Sequence, residues 1–191
     1  MNINESDKIF LMREKNTHLE GLKDLCIFLN NLGISDSVVE IGAYAGEGTI
    51  IFAEYFKEVI TVDPWVSGYD ENDKTSESNM IKVESIFDER VKDFKNIKKM
   101  KMTSKEASLL FPKKSIGFVY LDGNHTYEYV KEDLLLWIEK IKYNYIGGHD
   151  FSSKNAYGVV QAVLETFSNK SVKKFKDTSW VANINKILRN K

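Results

Sequence analysis

The 191 residues contain one cysteine, Cys26, and only two prolines, and the formal net charge is -1. A lone thiol excludes an internal disulfide and a multi-cysteine zinc site, and fits a reducing, cytoplasmic location. The 27 basic residues are matched by 28 acidic ones, which removes the electrostatic case for a nucleic-acid partner. No apolar run approaches the roughly 18 residues that cross a bilayer. Residues 1–7 are polar and acidic where a secretory leader is basic and then apolar. Neither membrane insertion nor secretion is expected. What the chain does have is core-forming material: 42% hydrophobic and 29% charged residues mark a globular fold, and the length suits one domain.

Apolar periodicity predicts a first helix over about 9–32, with Leu19, Leu22, Leu25, Cys26 and Leu29 on one stripe and Asn30, Asn31 and Gly33 as its stop. Residues 1–33 then form an N-terminal helical extension, a surface for self-association or a cover for substrate, and 34–191 form the core. Short β-branched runs follow at 38–41, 59–62, 116–121 and 143–146, with a lysine-bearing one at 97–103. Helical stretches at 48–56, 78–94, 127–141 and 155–167 alternate with them, the pattern of a parallel sheet covered on both faces. Runs at 171–175 and 179–184 are too close for a crossover helix and pair as an antiparallel hairpin, which gives the sheet a reversed edge. The expected fold is a doubly wound α/β domain with a seven-stranded sheet, mostly parallel, ending in that hairpin. Segment 67–79, polar and without apolar rhythm, is the longest loop and a candidate lid.

The strand at 38–41 runs into Gly42, Ala43, Tyr44, Ala45 and Gly46 before a helix, and a glycine turn of this kind lets a ligand approach backbone and helix N-terminus. Tyr44 stands where a dinucleotide fingerprint carries its second glycine, which disfavours a nicotinamide dehydrogenase, and no Gly-Lys-Ser/Thr follows as in a P-loop. Asp63, closing the next strand about twenty residues on, suits a carboxylate receiving two ribose hydroxyls. This pair resembles the nucleoside-binding half of the Rossmann-like class I S-adenosylmethionine-dependent methyltransferases. Further on, Leu121-Asp122-Gly123-Asn124-His125-Thr126-Tyr127, then Asp133 and Trp137, then Gly147-Gly148-His149-Asp150-Phe151 occur in order. Together they are similar to the subgroup containing small-molecule and sugar O-methyltransferases, over about 38–180.

The resemblance implies S-adenosylmethionine as cofactor, with Glu40, Gly42, Ala43, Tyr44 and Gly46 at its methionine end, Asp63 at the ribose, Thr103 and Ser104 at the adenine, and Asp122 beside it. It implies methyl transfer to an oxygen of a small hydroxylated acceptor. A cofactor-binding protein without transfer is the alternative. His149 is the first candidate base and His125 the second, with Asp122 and Asp150 orienting the acceptor. His125 could equally cap the helix starting near Tyr127. Asp122, His149 and Asp150 also form a donor set for Mg2+ or another divalent cation, although a metal-free carboxylate–histidine cluster serves as well. Trp137, Phe151 and Tyr157 read as core. The lysines of 92–105 and 170–176 read as solvated sheet edges rather than as a nucleic-acid face.

Overall fold

The computed structural model describes residues 16–71, 73–152 and 156–187. Its elements, in chain order, are α1 (Asn16–Asn31), β1 (Ser37–Ile41), α2 (Glu47–Tyr55), β2 (Glu58–Val62), α3 (Met80–Val91), β3 (Ile97–Met100), α4 (Ser104–Ser108), β4 (Phe118–Leu121), α5 (Tyr127–Ile138), β5 (Tyr145–Gly148), α6 (Tyr157–Thr166), β6 (Val172–Lys174) and β7 (Trp180–Asn183). The seven strands form one sheet in the order β3-β2-β1-β4-β5-β7-β6. The first five are parallel, and β7 runs antiparallel to both β5 and β6. The reversed strand is therefore β7, set inside the sheet, and the edge strand β6 runs the same way as the parallel five.

Strand alternation sorts the side chains into two layers. Val39, Ile41, Ile60, Val62, Val119 and Leu121 face a core shared with α5 and α6, which supply Leu134, Trp137, Val159 and Val163. Val38, Val59, Phe118 and Tyr120 face the other core with Leu22, Leu25, Cys26 and Leu29 of α1 and Ile51 and Phe52 of α2. The apolar stripe of α1 is thus an integral wall of the domain. The first part of the predicted helix, 9–15, lies outside the described residues. Phe52, fully buried, meets the rings of Phe56 and Tyr120 at 6.1 and 5.1 Å.

Gly147 and Gly148 belong to β5, paired with Val181 and Trp180 of β7, and a Cβ on Gly147 would lie 2.4 Å from the Trp180 carbonyl oxygen. Trp137 and Phe151 are buried as expected, but Tyr157 is 68% exposed and takes no part in the core. The lysines of edge strand β3 are paired: Lys98 with Glu58 at 2.5 Å, and Lys99 with Glu84 and Asp88 at 2.8 and 2.6 Å. Helix α4 was not anticipated from the sequence. At five residues it is too short to show a period, and it is held by a capping box between Thr103 and Glu106.

Replacing Phe52 by Ala should destabilise the fold by about 3–5 kcal/mol, the usual cost of emptying a buried aromatic site. Urea unfolding measures this, and a loss below about 1 kcal/mol would show that the α2 layer does not pack as described.

Candidate active site

Strand order reverses between β1 and β4, and ligands of open α/β sheets bind beyond the carboxyl ends of the strands at such a point. A cavity of about 330 Å³ lies there, lined among others by Glu40, Gly42, Tyr44, Asp63, Asp122 and His149. Gly42 has φ +87°, and a Cβ on it would lie 2.0 Å from the Asp122 carbonyl oxygen. Only glycine permits β1 and β4 to approach this closely where both turn out of the sheet. Gly46, at φ 83°, is the N-cap of α2, and the buried Arg90 guanidinium donates to the Ala45 carbonyl within the same turn.

Tyr44 takes φ +45° and Trp65 φ +47°, unusual for aromatic residues. Asp63 explains both. Its Oδ2 accepts the Tyr44 N–H at 2.9 Å and its Oδ1 the Trp65 N–H at 2.7 Å, while the Trp65 indole N–H donates to the Tyr44 carbonyl at 2.9 Å. Burial raises the Asp63 pKa against the opposing effect of these backbone bonds. Glu40, 2% exposed on the α2-facing side of β1, accepts the Thr49 hydroxyl proton at 2.5 Å and lines the cavity.

Thr103 and Ser104 part company. Thr103 caps α4 with its side chain tied to Glu106 and is not among the residues lining the cavity. Ser104 is buried at the cavity wall, donating to Asp133 at 2.5 Å and accepting the Trp137 indole N–H at 2.8 Å. Burial lifts the Asp133 carboxyl to about 7.

The β4 and β5 ends bring Asp122, His149 and Asp150 together. His149 Nδ1 is 3.2 Å from Asp150 Oδ2 and 3.6 Å from Asp122 Oδ1, and its Nε2 is 3.5 Å from the Thr178 hydroxyl. These three residues offer one ligand atom each within 4.8 Å of one another, a geometry open to a divalent cation. Asp150 has φ +56°, which turns its side chain back toward the two histidines. Contact with His125 and His149 overcomes the effect of burial and holds its carboxyl well below the usual range.

His125 joins the same cluster. Burial alone would disfavour its imidazolium, but the surrounding carboxylates of Asp122, Asp150 and Asp70 outweigh that and raise its pKa to about 12. With Nδ1 against Asp70 and Nε2 buried beside Asp150, neither ring nitrogen of His125 opens toward an acceptor as placed. It is not the cap of α5 either: Thr126 is the N-cap, and the Asn124 side chain accepts the Thr126 N–H at 2.9 Å.

Sequence reasoning missed Asp70 and Tyr69 as site residues. Both lie in segment 67–79, where composition signals only a loop, and both line the cavity. Asp70 Oδ2 receives the His125 backbone N–H at 2.7 Å and lies 3.0 Å from its Nδ1, while Asn124 donates to the Tyr69 carbonyl at 2.6 Å. Burial, with Asp133 nearby, pushes the Tyr69 phenol up to about 12. A second cavity of about 690 Å³ shares Asp73, His125 and Asp150 with the first and is also lined by Glu71, Tyr127 and Tyr157.

The Asp133 shift sets a pH dependence. A carboxyl raised above its unfolded value favours the fold while protonated, so its stabilisation is present below about pH 4 and is lost as pH rises through about 7. Replacing Asp133 by Asn, which keeps an acceptor for Ser104 without the charge, should therefore raise the melting temperature relative to the parent more at pH 8 than at pH 4.5. Thermal melts at the two pH values decide it, and a difference that ignores pH would contradict the buried-charge account.

Comparison with known proteins bears on the whole of this arrangement. A family profile described as a methyltransferase domain matches residues 39–151, from β1 through the His149–Asp150 turn. No curated protein matches the sequence significantly. Among solved structures, CalS11, a calicheamicin methyltransferase, superposes with a TM-score of 0.66 at 14% identity, over 93% of this chain and 82% of its own. Cofactor-bound Rv0187 from MTB gives 0.65 at 14% identity, over 95% and 86%. Phosphoethanolamine N-methyltransferase 1 of Haemonchus contortus, solved with S-adenosylhomocysteine, gives 0.53 at 18% identity, over 79% of this chain and 30% of that one. At these identities the likeness is one of fold, and the profile match supplies the family. The chain belongs to the methyltransferase domain family and is, by family and fold, a class I S-adenosylmethionine-dependent methyltransferase.

Proposed function

We propose that the protein methylates an oxygen of a small hydroxylated molecule, with His149 as the proton acceptor. The observation that carries this reading is the convergence of Asp122, His149 and Asp150 on the wall of the same cavity that Glu40 and Asp63 line. S-adenosylmethionine, when bound, supplies a sulfonium methyl for in-line displacement. The cavity fits such a ligand in its charge: Glu40, Glu47, Asp63 and Asp122 among its lining residues favour a cationic guest, and residues 42–45 line it. Asp63 would take the ribose hydroxyls, Glu40 and the turn the methionine end, and Ser104 the base.

An alcohol or phenol is a poor nucleophile while protonated, so the chain must align it and share its proton. Asp122 and Asp150 flank His149 Nδ1 and would orient the ring, leaving the acceptor to be held where the two cavities meet. CalS11 is a TDP-rhamnose 3'-O-methyltransferase, which supports a hydroxylated acceptor as the substrate class. A second reading rests on the ligand-atom spacing of Asp122, His149 and Asp150. Those residues would hold Mg2+ or a similar cation, which lowers the pKa of a coordinated hydroxyl.

Three outcomes test these assignments. Replacing His149 by Ala should lower turnover about 10²- to 10⁴-fold while cofactor affinity stays nearly intact, read by product formation beside calorimetry. A variant that keeps its rate ends the role of His149 as base. Replacing Asp63 by Ala should weaken S-adenosylmethionine about ten- to a hundredfold, by loss of hydrogen bonds to a charged acceptor. Unchanged affinity in the folded variant would remove the ribose assignment. Full turnover in excess chelator is expected if His149 alone takes the proton, whereas activity lost to chelator and restored by Mg2+ or Mn2+ would establish the metal reading instead.

A further inference from the structure

His125 joins two parts of the molecule far apart in sequence. On one side, a single oxygen of Asp70, 55 residues away and itself 5% exposed, receives the backbone N–H and faces Nδ1 of the ring. On the other, Nε2 is sealed from solvent and lies 3.1 Å from Asp150 Oδ2 and 3.9 Å from Asp122 Oδ1, without an aligned hydrogen bond to either. That same Asp150 Oδ2 is 3.2 Å from His149 Nδ1. The order in space is Asp70, His125, Asp150, His149.

We infer that Asp70 and His125 are positioning residues: they form a strut that runs from segment 67–79 to Asp150 and sets the carboxylate that orients His149. Three observations point this way. The buried Nε2 cannot reach a ligand without moving the carboxylates, so His125 acts on its neighbours rather than on the acceptor. Asp150 sits at φ +56°, a backbone state that a non-glycine residue keeps only when its surroundings hold it. The Asp70 contact grips ring and backbone together, which fixes the direction in which Nε2 points. Because Asp70 belongs to the segment over the cavity, seating that segment and setting the His149–Asp150 pair become one event. The Asn124 bond to the Tyr69 carbonyl fastens the same junction a second time.

The inference rests on the proposed role of His149 for its effect on turnover, but the strut itself can be read without an acceptor. The full chain labelled with nitrogen-15 histidine is compared as parent, Asp70→Asn and Asp70→Ala. Both His125 contacts fall on one oxygen, so Asn can keep them and Ala cannot. In Asp70→Ala the His149 ring shifts should move through His125 and Asp150, and the His125 amide should lose exchange protection; Asp70→Asn should restore both. Turnover on a catechol, phenol or sugar that the parent methylates should fall about ten- to a hundredfold in Asp70→Ala, the usual cost of losing an orienting partner, with cofactor affinity less affected and most of the rate regained in Asp70→Asn. Unmoved His149 shifts in a folded Asp70→Ala, or an Asn variant as impaired as the Ala one, would overturn the strut. A parent that methylates nothing while the ring shifts behave as stated would count against methyl transfer and leave the strut standing.

Discussion

Everything at this site depends on how closely two backbones approach at the reversal of strand order. Gly42 follows β1 and Asp122 follows β4, and the space between them excludes even a Cβ. The Asp122 N–H donates to the Ile41 carbonyl at 2.8 Å, extending the β1–β4 ladder by one rung before the chains part. Because the strands stay joined to that point, the turn that would hold a nucleoside and the loops that carry Asp122, His125 and His149 open into the same cavity. A bulkier residue at 42 would have to push the two halves apart.

Around that contact, the two layers have different tasks. On the α2 side, Glu40 is a carboxylate in a strand otherwise buried by hydrophobic residues, and the Thr49 hydroxyl offsets part of its desolvation. Beside it, Asp63 ties the Tyr44 and Trp65 backbones into one unit, and Trp65 packs in turn on Phe87 at 5.0 Å with Lys99 over its ring. On the α5 side, charge is managed by proximity. Three aspartates surround His125, and one oxygen of Asp150 serves two imidazoles. The left-handed backbone of Asp150 is the local cost of that arrangement.

Much of this was legible in the sequence because parallel strands buried on both faces announce themselves as short β-branched runs. Six of the seven strands fall within or over the expected runs, including lysine-bearing β3, whose charges lie on an edge, while β5 begins two residues later and takes in Gly147 and Gly148. The glycine turn, Asp63, Asp122, His149 and Asp150 were legible because each closes a strand. The place of β7 inside the sheet was not, since a hairpin fixes which strands pair but not which of them meets β5. Asp70 was hidden for a different reason: it lies in a polar segment without period, and its partner is 55 residues away. The carboxylate surroundings of His125 were equally out of reach, because three aspartates from separate loops come together around its ring. Thr103 stands beside the cavity residue Ser104, and its hydroxyl serves the helix it starts.

In the proposed reaction the two halves of this cavity serve one methyl transfer, the turn of 42–46 with Asp63 holding the cofactor and Asp122, His149 and Asp150 facing the acceptor. A crystal structure of the chain with S-adenosylhomocysteine tests that most directly. The account predicts the ribose hydroxyls on Asp63, the amino-acid end along the 42–46 turn, and the sulfur facing the space before Asp122 and His149. A ligand bound elsewhere, or one whose sulfur faces away from His149 and Asp122, would contradict it.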